Sequence, residues 1–468
     1  MTKTYTQKAW SLTDIFPAAD TGELKVALKE LETRAAALES KRPLLTDKIS
    51  QQELLDLIGE LEALYRLGHR VANYAELWFS MDTQNQAALG MVAQTEQLLS
   101  EIQNRTLFFS LWWKDLADGI AAPLMANAGD YSYWLEEMRH FKPHTLSEPE
   151  EKIINTKNVT GVSALNTLYD SFTNRYVFKV EVAGEVKELT RGELMSLVRS
   201  DDPDLRARAY RELYKVYGDD APILGQMYQT IVRDWRNEEV TLRHHKTPIS
   251  ARNLANDLPD EVIDLLLETC RKNTAVFQRF FKLKARLLGM EKLRRYDIYA
   301  PVAEADKAYD YTRAAAKVLQ SFRQFDERFA QLAERVFAED HLDAEVRKGK
   351  RGGAFCATAT PDLTPWVLLN YQGKTDDVAH ELGHAIHSML AEHHSLFTQH
   401  ANLPLAETAS TFGEMMLVDQ LLAEEPDEKV RRDLLFKQMD DAYATIQRQA
   451  FFALFEKQAH QMVVDGAS

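Results

Sequence analysis

Hydrophobic residues in the first part of the chain recur with the period of an α-helix. Leucine, alanine and valine return every three or four positions over residues 24–38, 51–67 and 71–109, and few glycines or prolines interrupt them. This spacing places the apolar side chains on one face of each helix, where they can pack against neighbouring helices. The pattern therefore predicts long amphipathic helices up to about residue 145. It also predicts long helices over residues 261–288 and 311–337.

A short alternating segment departs from this helical spacing. Apolar and polar side chains alternate over residues 176–189, on either side of Ala183 and Gly184, which predicts a β-hairpin. We place a domain boundary just after it. The expected organisation is an N-terminal helical domain over residues 1–190 and a second domain over residues 191–468.

The second domain contains two histidines at helical spacing, His380 and His384, with Glu381 directly after the first. Residues four apart share a helix face, so both imidazoles can bind one metal ion, and the glutamate can accept a proton from a metal-bound water. Asp376 and Asp377 suit the start of this helix, as a cap and as charges against its dipole. The pattern predicts a zinc site; the alternative is two partly buried histidines without a metal.

A hydrolytic zinc site requires a third protein ligand and keeps its fourth position for water. A histidine six residues after the second one is excluded because that residue is Leu390, and His387 either supports a metal ligand or belongs to the surface. We assign Glu407, in the first turn of the next predicted helix, as the third ligand, although its spacing alone equally allows an exposed carboxylate. Three later residues could hydrogen-bond a ligand imidazole: Thr408, Thr411 and Glu414.

The segments 380–387 and 406–412 closely resemble the oligoendopeptidase F branch of the thimet-oligopeptidase family of zinc peptidases. The likeness extends over nearly the whole chain, through residues 251–256, 295–301 and 353–371. It implies a mainly α-helical, zincin-like metallopeptidase with a small β-sheet beside the active-site helix. It further implies one zinc ion per chain on His380, His384 and Glu407, with Glu381 as general base.

The resemblance also implies a substrate site. Residues 366–371 are predicted to form a strand directly before the zinc helix, and in peptidases of this plan an edge strand pairs with the extended substrate through main-chain hydrogen bonds. We therefore assign Trp366, Val367 and Leu368 to substrate binding. The alternative is a strand buried inside a sheet.

The sequence departs from this family in two places. Members usually have nearly one more helical turn between the Asp-Val pair and the motif, whereas here Asp377-Val378 is followed at once by Ala379-His380. The family also continues beyond the position of Ser468. We therefore expect a chain shortened at its C-terminus and lacking part of the catalytic domain, with compromised activity. The alternative function is a catalytically weak zinc- or peptide-binding remnant.

Composition narrows the possible partners. The net charge of −15 argues against nucleic acid and anionic membranes as partners. Two distant cysteines do not form a disulfide framework, so a reducing compartment fits. Residues 1–16 contain no apolar signal segment, and no apolar stretch is long enough to span a membrane. We therefore expect a cytoplasmic zinc metalloendopeptidase that hydrolyses internal bonds of short oligopeptides. The sequence does not indicate its oligomeric state.

Overall fold

Long helices form the N-terminal part of the molecule. The computed structural model describes residues 4–302, 309–373 and 375–467. The first seven helices are α1 (Gly22–Ser40), α2 (Gln51–Met81), α3 (Gln86–Asp115), α4 (Asp118–Ala126), α5 (Ser132–His140), α6 (Glu148–Asn158) and α7 (Ala164–Thr173). The apolar pattern predicts the first three helices but not the break between α2 and α3. The chain leaves the helix after Met81, and the Asn85 side chain caps α3 by accepting hydrogen bonds from the backbone N–H groups of Ala87 and Ala88.

The predicted hairpin is present. Strand β1 (Phe178–Val182) pairs antiparallel with β2 (Glu185–Leu189), and Phe178 lies opposite Leu189. Ala183 and Gly184 connect the strands with positive φ angles of 53° and 84°, which suits the right-handed twist of a two-residue hairpin. The division of the chain at residue 190, directly after this hairpin, stays a prediction.

Helices also dominate the remainder of the described chain, so the predicted mainly α-helical fold is confirmed. Asp326 is extended between two helices and caps the second of them, which divides the predicted helix over 311–337. The predicted helix over 261–288 is likewise divided, at Asn273. The helices are α8 (Arg191–Ser196), α9 (Pro203–Asp219), α10 (Ala221–Trp235), α11 (Pro248–Ala255), α12 (Asp260–Lys272), α13 (Thr274–Leu287), α14 (Tyr311–Phe325), α15 (Glu327–Ala338), α16 (Thr375–Leu390), α17 (Leu403–Glu424), α18 (Glu428–Ala442) and α19 (Gln449–Val464).

A small sheet lies between two hydrophobic cores. Its strands are β3 (Leu342–Asp343), β4 (Phe355–Ala357) and β5 (Trp366–Leu368), in the spatial order β3-β5-β4. Strand β5 is parallel to β3 and antiparallel to β4. Successive side chains of a strand point to opposite faces. Accordingly, Trp366 and Leu368 join the core of the N-terminal helices, whereas Val367 joins the core formed by α14, α15 and α16.

Candidate metal centre

Helix α16 presents its two histidines on one face and its apolar residues on the other. Val378, Leu382 and Ala385 are fully buried against α14 and α15. On the opposite side, the ring centroids of His380 and His384 lie 5.0 Å apart. The helix begins at Thr375, so a full turn precedes His380 even though the segment before the motif is short. The local fold therefore places both imidazoles side by side.

Helix α17 places a carboxylate opposite these imidazoles. Glu407 Oε2 lies 3.5 Å from His380 Nε2 and 3.6 Å from His384 Nε2. One ligand atom from each of the three residues lies within 4.8 Å of the others. Two imidazole nitrogens and a carboxylate oxygen are donors that Zn²⁺ accepts in hydrolases. The three side chains therefore fit a divalent metal ion by donor type and by spacing.

Two glycines allow the helices to approach closely enough for this convergence. Gly413 of α17 lies against the backbone of Ala379 in α16, and a Cβ atom on Gly413 would lie 2.6 Å from the Ala379 carbonyl oxygen. Gly383 of α16 lies in the same way against α17. Side chains at these positions would hold the helices apart, so both glycines are needed for the crossing that brings Glu407 to the histidines.

Glu414 contacts the outer nitrogen of the first histidine. Its Oε1 atom lies 2.5 Å from His380 Nδ1, which leaves Nε2 facing Glu407. Burial by itself lowers the pKa of His380, but the hydrogen bond to Glu414 and the surrounding negative charges raise it above its ordinary value. Burial lowers the pKa of His384, against the opposing charge of Glu407. Metal binding requires neutral imidazoles, so it competes with protonation most strongly at His380.

Glu381 is a buried carboxyl group beside the three donors. Only 6% of its surface is exposed, and Oε2 has no hydrogen-bond partner among the described residues. Burial and the negative charges of Asp377, Glu407 and Glu414, partly opposed by His380, together raise its pKa from 4.5 to about 7, and burial is the largest cause. The group therefore takes up and releases a proton near neutral pH.

The other predicted supporting residues differ in their positions. Thr411 Oγ1 donates to the backbone carbonyl oxygens of Glu407 at 2.7 Å and Thr408 at 3.3 Å, so it bonds to its own helix and not to an imidazole. The Thr408 side chain is exposed. His387 lies one turn after His384 and contributes to lowering the pKa of that residue.

Ser410 supports the candidate metal ligand Glu407, and the sequence patterns did not indicate this role. Its Oγ atom lies 2.8 Å from Glu407 Oε2 and 2.9 Å from the Glu407 carbonyl oxygen. Because Ser410 is fully buried, its hydroxyl holds the more exposed carboxylate from the inner side. The signal was present in the sequence as a serine three residues after Glu407, a spacing at which helical side chains meet.

The geometry of this centre agrees with the likeness of the chain to known families. Residues 196–467 match Peptidase family M3, and residues 119–178 match Oligopeptidase F. The chain belongs to Peptidase family M3. It is therefore a peptidase, and the family is a metallopeptidase family, in agreement with the resemblance found in the sequence.

Relatives of this M3 peptidase cover most of its length. It is 29% identical over 461 residues to the Group B oligopeptidase PepB of Streptococcus agalactiae, across 96% of this chain and 76% of the relative. It is 28% identical to the chromosomal oligoendopeptidase F of Lactococcus lactis subsp. cremoris, across 98% and 77%. The crystal structure of oligoendopeptidase-F from Enterococcus faecium has a similar fold, with a TM-score of 0.67 at 23% identity, across 95% of this chain and 76% of that one.

The expectation that residues 366–368 of this M3 peptidase form an edge strand is wrong. The strand assigned to substrate binding, Trp366 to Leu368, is the central strand of its sheet, with β3 on one side and β4 on the other. All three of its side chains are fully buried. The strand is therefore not an edge strand, and its main chain already pairs on both sides. Strand β4 lies at one edge of the three-stranded sheet. It carries Cys356, and burial of the thiol and the negative charge of Glu381 raise its pKa.

Among residues 4–302, 309–373 and 375–467, this M3 peptidase has no helix with an apolar stretch long enough to span a bilayer.

Proposed function

We propose that this protein is a zinc-dependent endopeptidase that hydrolyses internal bonds of oligopeptides. The observation that carries the proposal is the convergence of His380, His384 and Glu407, whose ligand atoms lie within 4.8 Å of one another. Glu381 lies directly beside them with a buried oxygen that has no hydrogen-bond partner among the described residues. The oligopeptidase names of the relatives support the same substrate class.

Each of these residues has a separate role in the proposed reaction. His380, His384 and Glu407 would hold the zinc ion, which when bound would polarise the scissile carbonyl and acidify an attacking water. Glu381 accepts the proton of that water and passes it to the leaving amine. The position of Glu381 beside the three donors, with one buried oxygen that has no hydrogen-bond partner among the described residues, suits a group that must accept and then release a proton.

Glu414 and Ser410 orient the ligands in this proposal. Glu414 holds His380 Nδ1, so that the opposite ring nitrogen faces the metal position. Ser410 holds one oxygen of Glu407 from the buried side. Hydrogen bonds of this kind fix ligand orientation and tighten metal binding.

We propose that β4 offers the main-chain edge for an extended peptide. It pairs only with β5 within its three-stranded sheet, and its residues are half-buried, whereas β5 is paired on both sides. Pairing through main-chain groups tolerates many side chains, as an enzyme acting on varied oligopeptides requires.

We also propose a cytoplasmic location. Cys270 and Cys356 form no disulfide, which is typical of proteins in a reducing compartment.

The test combines zinc content with cleavage of an internally quenched peptide. We expect about one zinc ion per chain at the catalytic site, cleavage that a chelator abolishes, and loss of cleavage in Glu381→Gln without loss of this zinc. The double variant His380→Ala/His384→Ala should lose zinc from this site. His393→Ala is the matched control, because His393 is an exposed histidine just after the same helix.

Two results would contradict the proposal. Catalytic-site zinc that is unchanged in the double variant would remove the metal assignment. Zinc binding without turnover in the unsubstituted protein would instead support the alternative of a zinc- or peptide-binding protein.

A further inference from the structure

A second group of metal-binding side chains lies on elements that do not contribute to the catalytic centre. Asp14 comes from the N-terminal segment, Glu339 from the turn after α15, and His341 from the residue before β3. One ligand atom from each lies within 4.8 Å of the others. Asp14 is far in sequence from the other two, and Glu339 and His341 lie on either side of a turn. Only the folded chain brings the three together.

The buried histidine of this group has an unsatisfied ring nitrogen. His341 is 1% exposed, and its Nδ1 lies 2.9 Å from the carbonyl oxygen of Thr364. A carbonyl oxygen only accepts hydrogen bonds, so Nδ1 carries the proton of the neutral ring, and Nε2 presents its lone pair. Nε2 lies 3.2 Å from Asp14 Oδ2 but has no hydrogen-bond partner in the described structure. A buried lone pair beside a carboxylate is unfavourable unless a cation, either a proton on the ring or a metal ion, lies between them.

Hydrogen bonds that do not involve the three candidate ligand side chains hold the backbone around them. The N–H of Ser11 donates to the carbonyl oxygen of Asp340 at 2.8 Å, and the indole N–H of Trp366 donates to the carbonyl oxygen of Ser11, also at 2.8 Å. The His341 ring stacks on Trp366 with centroids 3.9 Å apart. The N-terminal segment is thereby fixed over the loop that carries Glu339 and His341, and the ligand atoms need little rearrangement to bind an ion.

The geometry points to a structural site for a first-row divalent metal ion, with zinc as its probe. One imidazole and two carboxylates form a donor set that binds first-row divalent ions in preference to Mg²⁺ or Ca²⁺, which favour oxygen ligands alone. Asp14 is half-exposed, so water can complete the coordination. Two cations lie nearby: Arg335 pairs with Glu339 Oε1 at 3.1 Å, and Lys8 pairs with Asp340. Arg335 therefore occupies one of the two oxygens of Glu339, and Lys8 pairs with Asp340 and not with Asp14.

A metal ion here would join the N-terminal segment to the central sheet. His341 is bonded through its carbonyl oxygen to the N–H of Val367 in β5, at 2.8 Å, and its ring covers Trp366. The ion would therefore stabilise the packing behind β5. This inference does not depend on peptide cleavage.

The test counts zinc ions in the full chain by dialysis against zinc alone followed by metal analysis. We expect two ions per chain in the unsubstituted protein and one in His380→Ala/His384→Ala. Adding His341→Gln or Asp14→Ala to that double variant should remove the remaining ion, with at least a tenfold loss of zinc affinity. Adding Asp20→Asn, an exposed acidic residue of the same segment, should leave it bound.

A thermal-melting experiment covers the case in which a substitution disturbs folding. Asp14 is half-exposed, so Asp14→Ala should melt like its parent without zinc. Zinc should raise the melting temperature of His380→Ala/His384→Ala but not that of the variant that also carries Asp14→Ala. The inference is overturned if the double variant binds no zinc, or if it binds zinc equally well with and without Asp14 and His341.

Discussion

A Cβ atom on Gly383 would lie 2.6 Å from the carbonyl oxygen of Ala409. This contact is between a side-chain position of α16 and the backbone of α17, two residues after Glu407. Backbone atoms cannot rotate away as a flexible side chain can, so the helices themselves would have to separate. The distance between the histidine pair and its carboxylate partner is therefore set by a glycine.

We predict that Gly383→Ala moves the two helices apart. Overpacking at such a contact costs roughly 1–3 kcal/mol of unfolding free energy, and the displaced Glu407 should weaken zinc binding and peptide cleavage. Gly59→Ala is the matched control, because Gly59 is an exposed glycine inside α2 with open space around it. That control should gain up to about 1 kcal/mol from better helix propensity. Equal stability and equal activity in both variants would contradict the prediction.

We predict that Glu414→Gln weakens zinc binding while the protein remains folded. The substitution keeps the shape of the side chain but removes the charge that contacts His380 Nδ1. Losses of such outer hydrogen bonds reduce metal affinity by roughly 10–100-fold. Competition with a chromogenic chelator measures this affinity. Glu456→Gln, an exposed glutamate of α19, should keep the original value, and the same value in Glu414→Gln would show that this contact does not support the ligand.

We predict a smaller effect for the hydroxyl group of Ser410. Ser410→Ala removes the hydrogen bond to Glu407 Oε2 and should weaken zinc binding only severalfold, because the Glu407 carboxylate is exposed and water can replace the lost donor. Thr411→Val removes a hydroxyl group from the next position, where it bonds to the helix backbone. Zinc titration should therefore separate the two variants. If both lose affinity equally, the helix backbone and not the carboxylate contact is responsible.

We predict that the stability of the metal-free protein depends on pH through Glu381. Its pKa rises from 4.5 to about 7 on folding, so the folded state binds this proton more tightly than the unfolded state. The stabilisation is complete below pH 4.5 and is lost as the pH rises through about 7, by on the order of 2–3 kcal/mol. Chemical denaturation of the chelated protein between pH 5 and 8 measures it. Glu381→Gln should lack this component, and an identical pH dependence in both proteins would exclude Glu381 as its source.

The two parts of the metal centre differ in how far the sequence could predict them. His380 and His384 belong to one turn of one helix, and their proximity follows from the helical repeat alone. Glu407 belongs to the next helix, and its spacing along the chain equally allowed an exposed carboxylate. Its place opposite the imidazoles depends on where α17 crosses α16, which is set by the backbone contacts of Gly383 and Gly413.

Several errors in the predicted elements have the same physical origin. The apolar repeat continues through Asn273 and Asp326, so the pattern did not reveal that the helices are divided there. The apolar character of Trp366 to Leu368 correctly indicated a strand. Whether that strand lies at the edge or in the centre depends on β3, a parallel partner more than twenty residues earlier in the chain, and no local pattern reports such a pairing.

The sequence by itself determined the helical character of the chain, the hairpin, the family, and the helix face that carries the two histidines, because each follows from local periodicity or from a local motif. The tertiary structure alone decided the approach of Glu407, the bonding of Ser410, the central position of β5, and the meeting of Asp14 with His341. These features depend on contacts between segments distant in sequence, and the free energy of such contacts comes from packing that exists only once the chain has folded.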